Sequence, residues 1–255
     1  LDVEVVIPDR AEPAGMLRQG APFCYPVELS HGFMLNLLQK KPDYLFLPQV
    51  KGMPKTVEKE KVSIICPLAQ GEPYYLRAAF PELRENNNVI SPLLDFSRGF
   101  ASQESKFVRL GKKLGATAAK ARHAYRLAVN HHQALLKKIK EWGDELLEEL
   151  EKNPQMKAIV IFGRYYNALT GTANMGIPRK FASRGWLTVP FDCLPFEGEK
   201  ALKNMYWSNG QIILQAARLV KKHPQLFGAY ITNFSCGPDS FLISYFRDIM
   251  GEKPS

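Results

Sequence analysis

The sequence predicts an α/β protein of two lobes joined by a long helical segment. Short β-rich runs alternate with helical stretches, the pattern of parallel sheets covered on both faces. A stretch of helical periodicity from Thr117 to Lys152 separates those runs into two groups. The chain is also 255 residues long, about where one hydrophobic core tends to divide into two.

Taken in order, the first expected strand is Val3–Ile7, followed by Tyr44–Leu47 and Val62–Ile65. "ENNNV", residues 85–89, reads as a turn before a short strand. In the long helix, Tyr125, Ala128, Val129, Leu135, Leu136, Ile139, Leu146 and Leu150 recur at helical spacing, and Asn153-Pro154 ends it. Strands are then expected at Ala158–Phe162, Leu187–Phe191 and Ala229–Phe234, and a helix at Phe241–Met250. The expected division is a first α/β lobe over residues 1–100, a helical bridge over 101–153 and a second α/β lobe over 154–255. Because "LDVEVVIPD" already reads as a strand, the start is expected to fall inside a domain.

Composition narrows the class. No run approaches the roughly 18 consecutive apolar residues of a membrane span, so a soluble protein is expected. The net charge of +9 favours an anionic partner, although runs such as "KKIK" and "VKKH" read mainly as solvated helix faces. Nucleic acid is a weak fit, because no helix-turn-helix or RNA-binding motif accompanies the charge. Four cysteines without a C-x-x-C pair are too sparse for a disulfide framework, so reduced thiols in a cytoplasmic protein are expected.

Those cysteines, at positions 24, 66, 193 and 236, share one local arrangement. "FCYPVELSHG", "IICPLAQGEP", "FDCLPFEGEK" and "FSCGPDSFLI" each place a proline within two residues of the cysteine. Three of the four follow an apolar strand, and all four precede a segment that can begin a helix, after a short loop for Cys66 and Cys193. Turns of this kind line the carboxyl edge of a parallel sheet, where ligand sites form. Helix N-termini lower a thiol's pKa and favour the thiolate that a metal needs, and the proline stiffens the turn. Four buried, inert cysteines are the bland alternative. Repetition of one arrangement favours a shared soft-metal site, iron–sulfur ahead of zinc.

The segments "CYPVELSHG", "YLFLPQV", "CPLAQGEPYY", "GRYYNAL", "NMYWSNGQIIL" and "YITNFSCGPDSF", in this order, resemble the 2-hydroxyacyl-CoA dehydratase D-component family. The nearest resemblance is to the domain found in proteins related to the ATP-dependent activases of those dehydratases. It runs from Phe23 to Lys253, with "NFSCGPDS" its most specific part. This resemblance implies two Rossmann-like lobes around a [4Fe-4S] cluster held by Cys24, Cys66 and Cys236. It also implies an ATP-dependent activase partner that delivers low-potential electrons, and an acyl-CoA or other small-molecule substrate. Cys193, in "PFDCLP", falls where the family pattern implies a non-ligating residue, leaving it a neighbouring thiol or a fourth ligand.

Several positions depart from that pattern. Tyr165 or Tyr166 stands where relatives carry proline, Glu28 replaces an expected lysine, and both ends lack expected segments. The chain therefore reads as a dehydratase- or reductase-type component that needs its activase. Alternatively, it is a non-catalytic binding or regulatory domain holding a small apolar or acyl ligand between the lobes. A dimer is compatible with either.

Other chemistry has less support. Neither G-x-G-x-x-G after a strand nor G-x-x-x-x-G-K-[ST] occurs, so ATP is assigned to the partner or to another part of the polypeptide. No G-x-S-x-G elbow accompanies a suitable histidine and acid. Asp239 and Ser240 are expected to cap the last helix or to transfer protons. Arg164, Tyr166 and Asn167 are expected either to meet a thioester or phosphate or to stabilise a turn. His31 is expected to pack on a helix face, and His132 in a core or interface. "NMYW" is expected to be core, with a pocket wall as the alternative.

Overall fold

A computed structural model describes residues 1–55, 63–84, 87–233 and 235–255. It confirms a mixed α/β protein with short parallel sheets. The chain divides into two compact units. One takes in Leu1–Lys55 and the described residues through His131; the other takes in His132–Ser255.

The first unit opens without regular structure, so the expected strand at Val3–Ile7 is absent. Val5 and Ile7 are 78% and 68% exposed, and the run pairs with no strand among the described residues. Strand propensity is expressed only when a neighbouring ladder and a buried face accompany it. Two helices follow, α1 (Pro13–Met16) and α2 (Tyr25–Gln39). Strand β1 (Leu45–Phe46) falls within the expected run, and β2 (Gln49–Gly52) extends the chain beyond it. Of the expected strand 62–65, Val62 lies outside the described residues, and Ile64 makes only an isolated antiparallel bridge to Gly52.

Helices α3 (Pro67–Gln70) and α4 (Glu72–Ala79) precede strands β3 (Val89–Ile90) and β4 (Leu93–Asp95). β1 pairs with β3 and β2 with β4, both in parallel. The turn before β3 is therefore correct for residues 87–88, while 85–86 lie outside the described residues. Met34 of α2, Leu45 and Leu47 around β1, and Leu76, Phe80 and Leu83 form the core of this unit.

Helix α5 (Glu104–Lys113) leads into α6 (Ala118–Lys152), the long helix expected from periodicity. Its stripe is buried at Tyr125 and Leu150, but Leu135 and Leu136 are about half exposed. His132 is exposed as well, which corrects the core position and leaves the interface alternative untouched.

In the second unit, β5 (Ala158–Phe162) matches the expected strand and is buried at every position. It is followed by α7 (Tyr165–Ala168), α8 (Ile177–Ala182), β6 (Leu187–Pro190), α9 (Ser208–Lys222), β7 (Leu226–Tyr230) and α10 (Gly237–Met250). The sheet order is β6-β5-β7, all parallel. β7 starts three residues before the expected Ala229, because pairing of Ala158 with Leu226 through Phe162 with Tyr230 fixes its register.

Alternation along β5 decides what covers each face. Ala158, Val160 and Phe162 enter a core with Ile213, Leu214, Ala217 and Val220 of α9 and Leu242, Phe246 and Met250 of α10. Ile159 and Ile161 pack on the other face with Ala168, Ile177 and Phe181, from the α7–α8 side. The chain leaving β5 thus covers one face, and the chain leaving β7 covers the opposite one. This is the strand-order reversal at which open α/β sheets form a crevice on their carboxyl edge. No helix among the described residues is long and apolar enough to cross a membrane.

Candidate functional site

Cys24, Cys66 and Cys236 are each the N-cap residue of a helix: α2, α3 and α10 respectively. In each case proline occupies the first or second helical position, where its missing N–H costs nothing and its fixed φ suits the helix. All three side chains are buried, at 3%, 3% and 4% exposure. The short loop expected after Cys66 is absent, since α3 begins at Pro67.

Cys193 differs. It ends a single 3₁₀ turn, Phe191–Cys193, and is followed by extended backbone at Leu194. Gly143 of α6 lies so close that a Cβ there would strike the Cys193 carbonyl, so this loop is fixed by its backbone. Burial, with Asp192 beside it, pushes the Cys193 thiol up to about 11.

Within the first unit, Cys24 and Cys66 both lie in electrostatic reach of the Tyr75 hydroxyl. Burial raises the Tyr75 pKa, and Glu72 one helical turn earlier raises it further. Tyr75 shares a 3.1 Å hydrogen bond with Ser30 Oγ and stacks on His31 at 5.2 Å. His31 is buried and donates from Nδ1 to the Val27 carbonyl at 2.7 Å, so it packs on its own helix as expected. Burial also lifts the Glu72 carboxyl above its usual range. The Glu72/Tyr75 pair was not singled out by the sequence reading. Its signal was the i, i+3 spacing inside "GEPYY", which puts both groups on one side of α4.

Within the second unit, Cys236 adjoins a buried polar network at the carboxyl ends of β5 and β7. Gly163 makes the exit from β5, with φ of 139° and a position where a Cβ would meet the Ile231 carbonyl. Arg164 follows, 1% exposed, and donates to Asp239 Oδ2 from Nε at 3.1 Å and from Nη2 at 3.0 Å. Nη2 also donates to Asn233 Oδ1 at 2.7 Å. Asp239, fully buried, accepts in addition from Thr232 Oγ1 at 2.7 Å and from the Tyr230 hydroxyl at 3.1 Å.

Burial works against the Arg164 charge, but Tyr166 and Asp239 more than offset it, holding the guanidinium above its ordinary pKa. Burial likewise raises the Tyr230 phenol, helped by Asp239. Arg164 thus takes the turn-stabilising role, one of its two expected roles. Asn167 does the same work, donating from Nδ2 to the Ile231 carbonyl at 3.2 Å.

Asp239 does not cap α10 through its carboxylate. The cap is Cys236 itself, whose Sγ accepts from the Asp239 backbone N–H at 3.4 Å, while Ser240 Oγ donates to the Cys236 carbonyl at 2.8 Å. The expected thiolate-favouring shift at Cys236 is also reversed. Burial pushes this thiol up to about 12, and the pull of Arg164 in the other direction only partly counters it.

Among the described residues, no three His, Cys, Asp or Glu side chains stand together as a metal-holding group. Cysteine sulfurs are the soft donors that soft metals prefer, taken as thiolates, and at Cys236 a backbone N–H meets the sulfur. Glu28 lies in the first turn of α2, where a carboxylate complements the dipole, and Tyr165 opens α7.

Fold and site together define an α/β domain that presents buried cysteines at helix N-termini. The chain belongs to the family described as the CoA enzyme activase uncharacterised domain (DUF2229), whose profile matches residues 1–194. That span includes Cys24, Cys66, Cys193 and Arg164; Cys236 lies beyond it. No curated protein and no solved structure matches the chain.

Proposed function

We propose that this domain is an iron–sulfur redox component of a CoA-enzyme activase system, similar to the dehydratase D-components. One observation carries the reading. The three cysteines that the dehydratase resemblance implies as ligands are the three that cap helices, each with proline at the first or second helical position, and Cys193 is the exception. Cys24, Cys66 and Cys236 would hold a [4Fe-4S] cluster. Such a cluster supplies one-electron chemistry at low potential. The protein's own contribution is to bury the thiols, restrict their turns with proline and, at Cys236, aim a backbone N–H at the sulfur.

The partner in this reading is an ATP-dependent activase, in keeping with the family, and the substrate class is a small acyl thioester. Anaerobic purification followed by iron and sulfide assay tests the reading. About four iron and four sulfide per chain are expected for one cubane. Stoichiometric zinc, or protein that stays colourless after anaerobic reconstitution, overturns it.

A second reading rests on a different observation. A cleft of about 650 Å³ lies against the carboxyl halves of β5 and β6, lined by Ile161, Leu169 and Val189 with Thr172, Asn174 and Arg179. Its size and mixed lining suit a small acyl ligand held without chemistry. Mass spectrometry of material released on denaturation separates the two: a stoichiometric acyl compound without iron favours this second function.

A further inference from the structure

The backbone entering Cys236 is strained at Ser235, which sits in the left-handed region at φ of 62° without being glycine. Cys236 N–H donates to the Asn233 carbonyl at 3.3 Å. A strained residue of this kind persists only if its surroundings over-determine it.

Arg164 reaches both sides of it. One guanidinium group bonds the Asn233 side chain before Cys236 and the Asp239 carboxylate after it. Asp239 is anchored a second time by Thr232 and Tyr230, which belong to the segment leaving β7. Its backbone N–H then meets Cys236 Sγ. Two hydrogen-bonded contacts, joined through Asp239 itself, lead from the Arg164 guanidinium to the sulfur, and Arg164 and Asp239 are essentially inaccessible to solvent.

Stability alone is a poor explanation for this pair. Removing two charges from water costs about as much as their attraction returns, and apolar residues of equal volume often serve a core as well or better. The two charges also nearly cancel, so the pair supplies orientation more than field. Arginine's planar fork is what allows one side chain to span two acceptors, a task lysine cannot perform.

We infer that Arg164 and Asp239 form a positioning clamp that sets Cys236 in its sulfur-presenting geometry, with Tyr230 as a lesser support. The inference deepens the reading of Cys236 as a metal ligand and rests on it for its purpose. The geometry of the clamp is testable on its own, because outer groups that hold a ligand leave a signature even without metal.

The test compares the full chain with its Arg164→Met, Arg164→Lys, Asp239→Asn and Tyr230→Phe variants. Metal-free protein is treated with iodoacetamide, and the alkylation rate at each cysteine is followed by peptide mass spectrometry. Cys24, Cys66 and Cys193 serve as internal references. Cys236 should react about tenfold faster or more in Arg164→Met and Asp239→Asn, and severalfold faster in Tyr230→Phe, with the references unchanged. Arg164→Lys should fail to restore the wild-type rate.

Rates that rise together at all four cysteines in every variant overturn the clamp, since they mark a general staple. Unchanged Cys236 rates overturn it too. If Arg164→Met does not fold, the Asp239→Asn and Tyr230→Phe rates decide. Iron content after anaerobic reconstitution is a separate readout, expected to fall severalfold in Arg164→Met. Wild-type protein that takes up no iron would remove the metal reading and leave the alkylation contrast to judge the clamp.

Discussion

At the scale of single residues, four cysteines that look alike in sequence divide into three helix caps and one 3₁₀ turn. Replacing Cys24, Cys66 or Cys236 by alanine should therefore lower iron content after reconstitution much more than Cys193→Ala does. Equal losses in all four would point to a four-thiolate site, better suited to electron transfer than to substrate binding. Cys236 also makes a statement about pH. Its folded pKa, near 12, lies above the ordinary thiol value, so folding favours the protonated form. That contribution is fully present below the unfolded pKa and is lost as pH climbs towards 12. The stability of the wild type relative to Cys236→Ser, measured by urea denaturation of metal-free protein, should fall between about pH 9 and pH 12. A flat difference across that window would show that the thiol is not held protonated by burial.

At the scale of elements, what was legible depended on whether local pattern and tertiary context agreed. Helix α6 and strand β5 were readable almost to the residue, because long periodicity and a five-residue apolar run leave few alternatives. Val3–Ile7 has the same strand composition, yet pairs with nothing among the described residues, since a ladder partner is not encoded locally. β7 was shifted for a related reason: "LFGAYI" carries no polar break, and its register against β5 sets where the strand starts and stops. The turn after β5 is held by one glycine. Gly163 has φ of 139°, and a methyl group there would collide with the Ile231 carbonyl, so Gly163→Ala should cost roughly 2 kcal/mol or more. Thermal unfolding would show this as a lowered midpoint. An unchanged midpoint would mean that the exit from β5 relaxes freely, and that Arg164 is not held from this side.

At the scale of the whole molecule, the sequence made the cysteine turns visible but hid what stands behind them. Arg164 and the group Tyr230, Thr232 and Asp239 come from two separated stretches, and the parallel pairing of β5 with β7 brings them together. The Glu72/Tyr75 pair was hidden differently, because a carboxylate and a phenol on a helix ordinarily read as surface groups. The strand-order reversal, where many α/β proteins hold a nucleotide, carries in this unit the buried Arg164–Asp239 network. The sequence likewise carries neither nucleotide-binding glycine pattern. In the proposed reading, energy from ATP would reach Cys24, Cys66 and Cys236 from a partner or from another part of the polypeptide, and the net charge of +9 favours an encounter with acidic groups. Iron-loaded protein should consequently be reduced only when activase and ATP are supplied together, and added salt should slow that reduction by screening the encounter. Electron paramagnetic resonance of anaerobic samples, with and without a candidate acyl-CoA, follows both reduction and substrate binding. Reduction by a mild donor without ATP, together with a signal that no acyl-CoA alters, would remove the activase from the account and leave a plain electron carrier in its place.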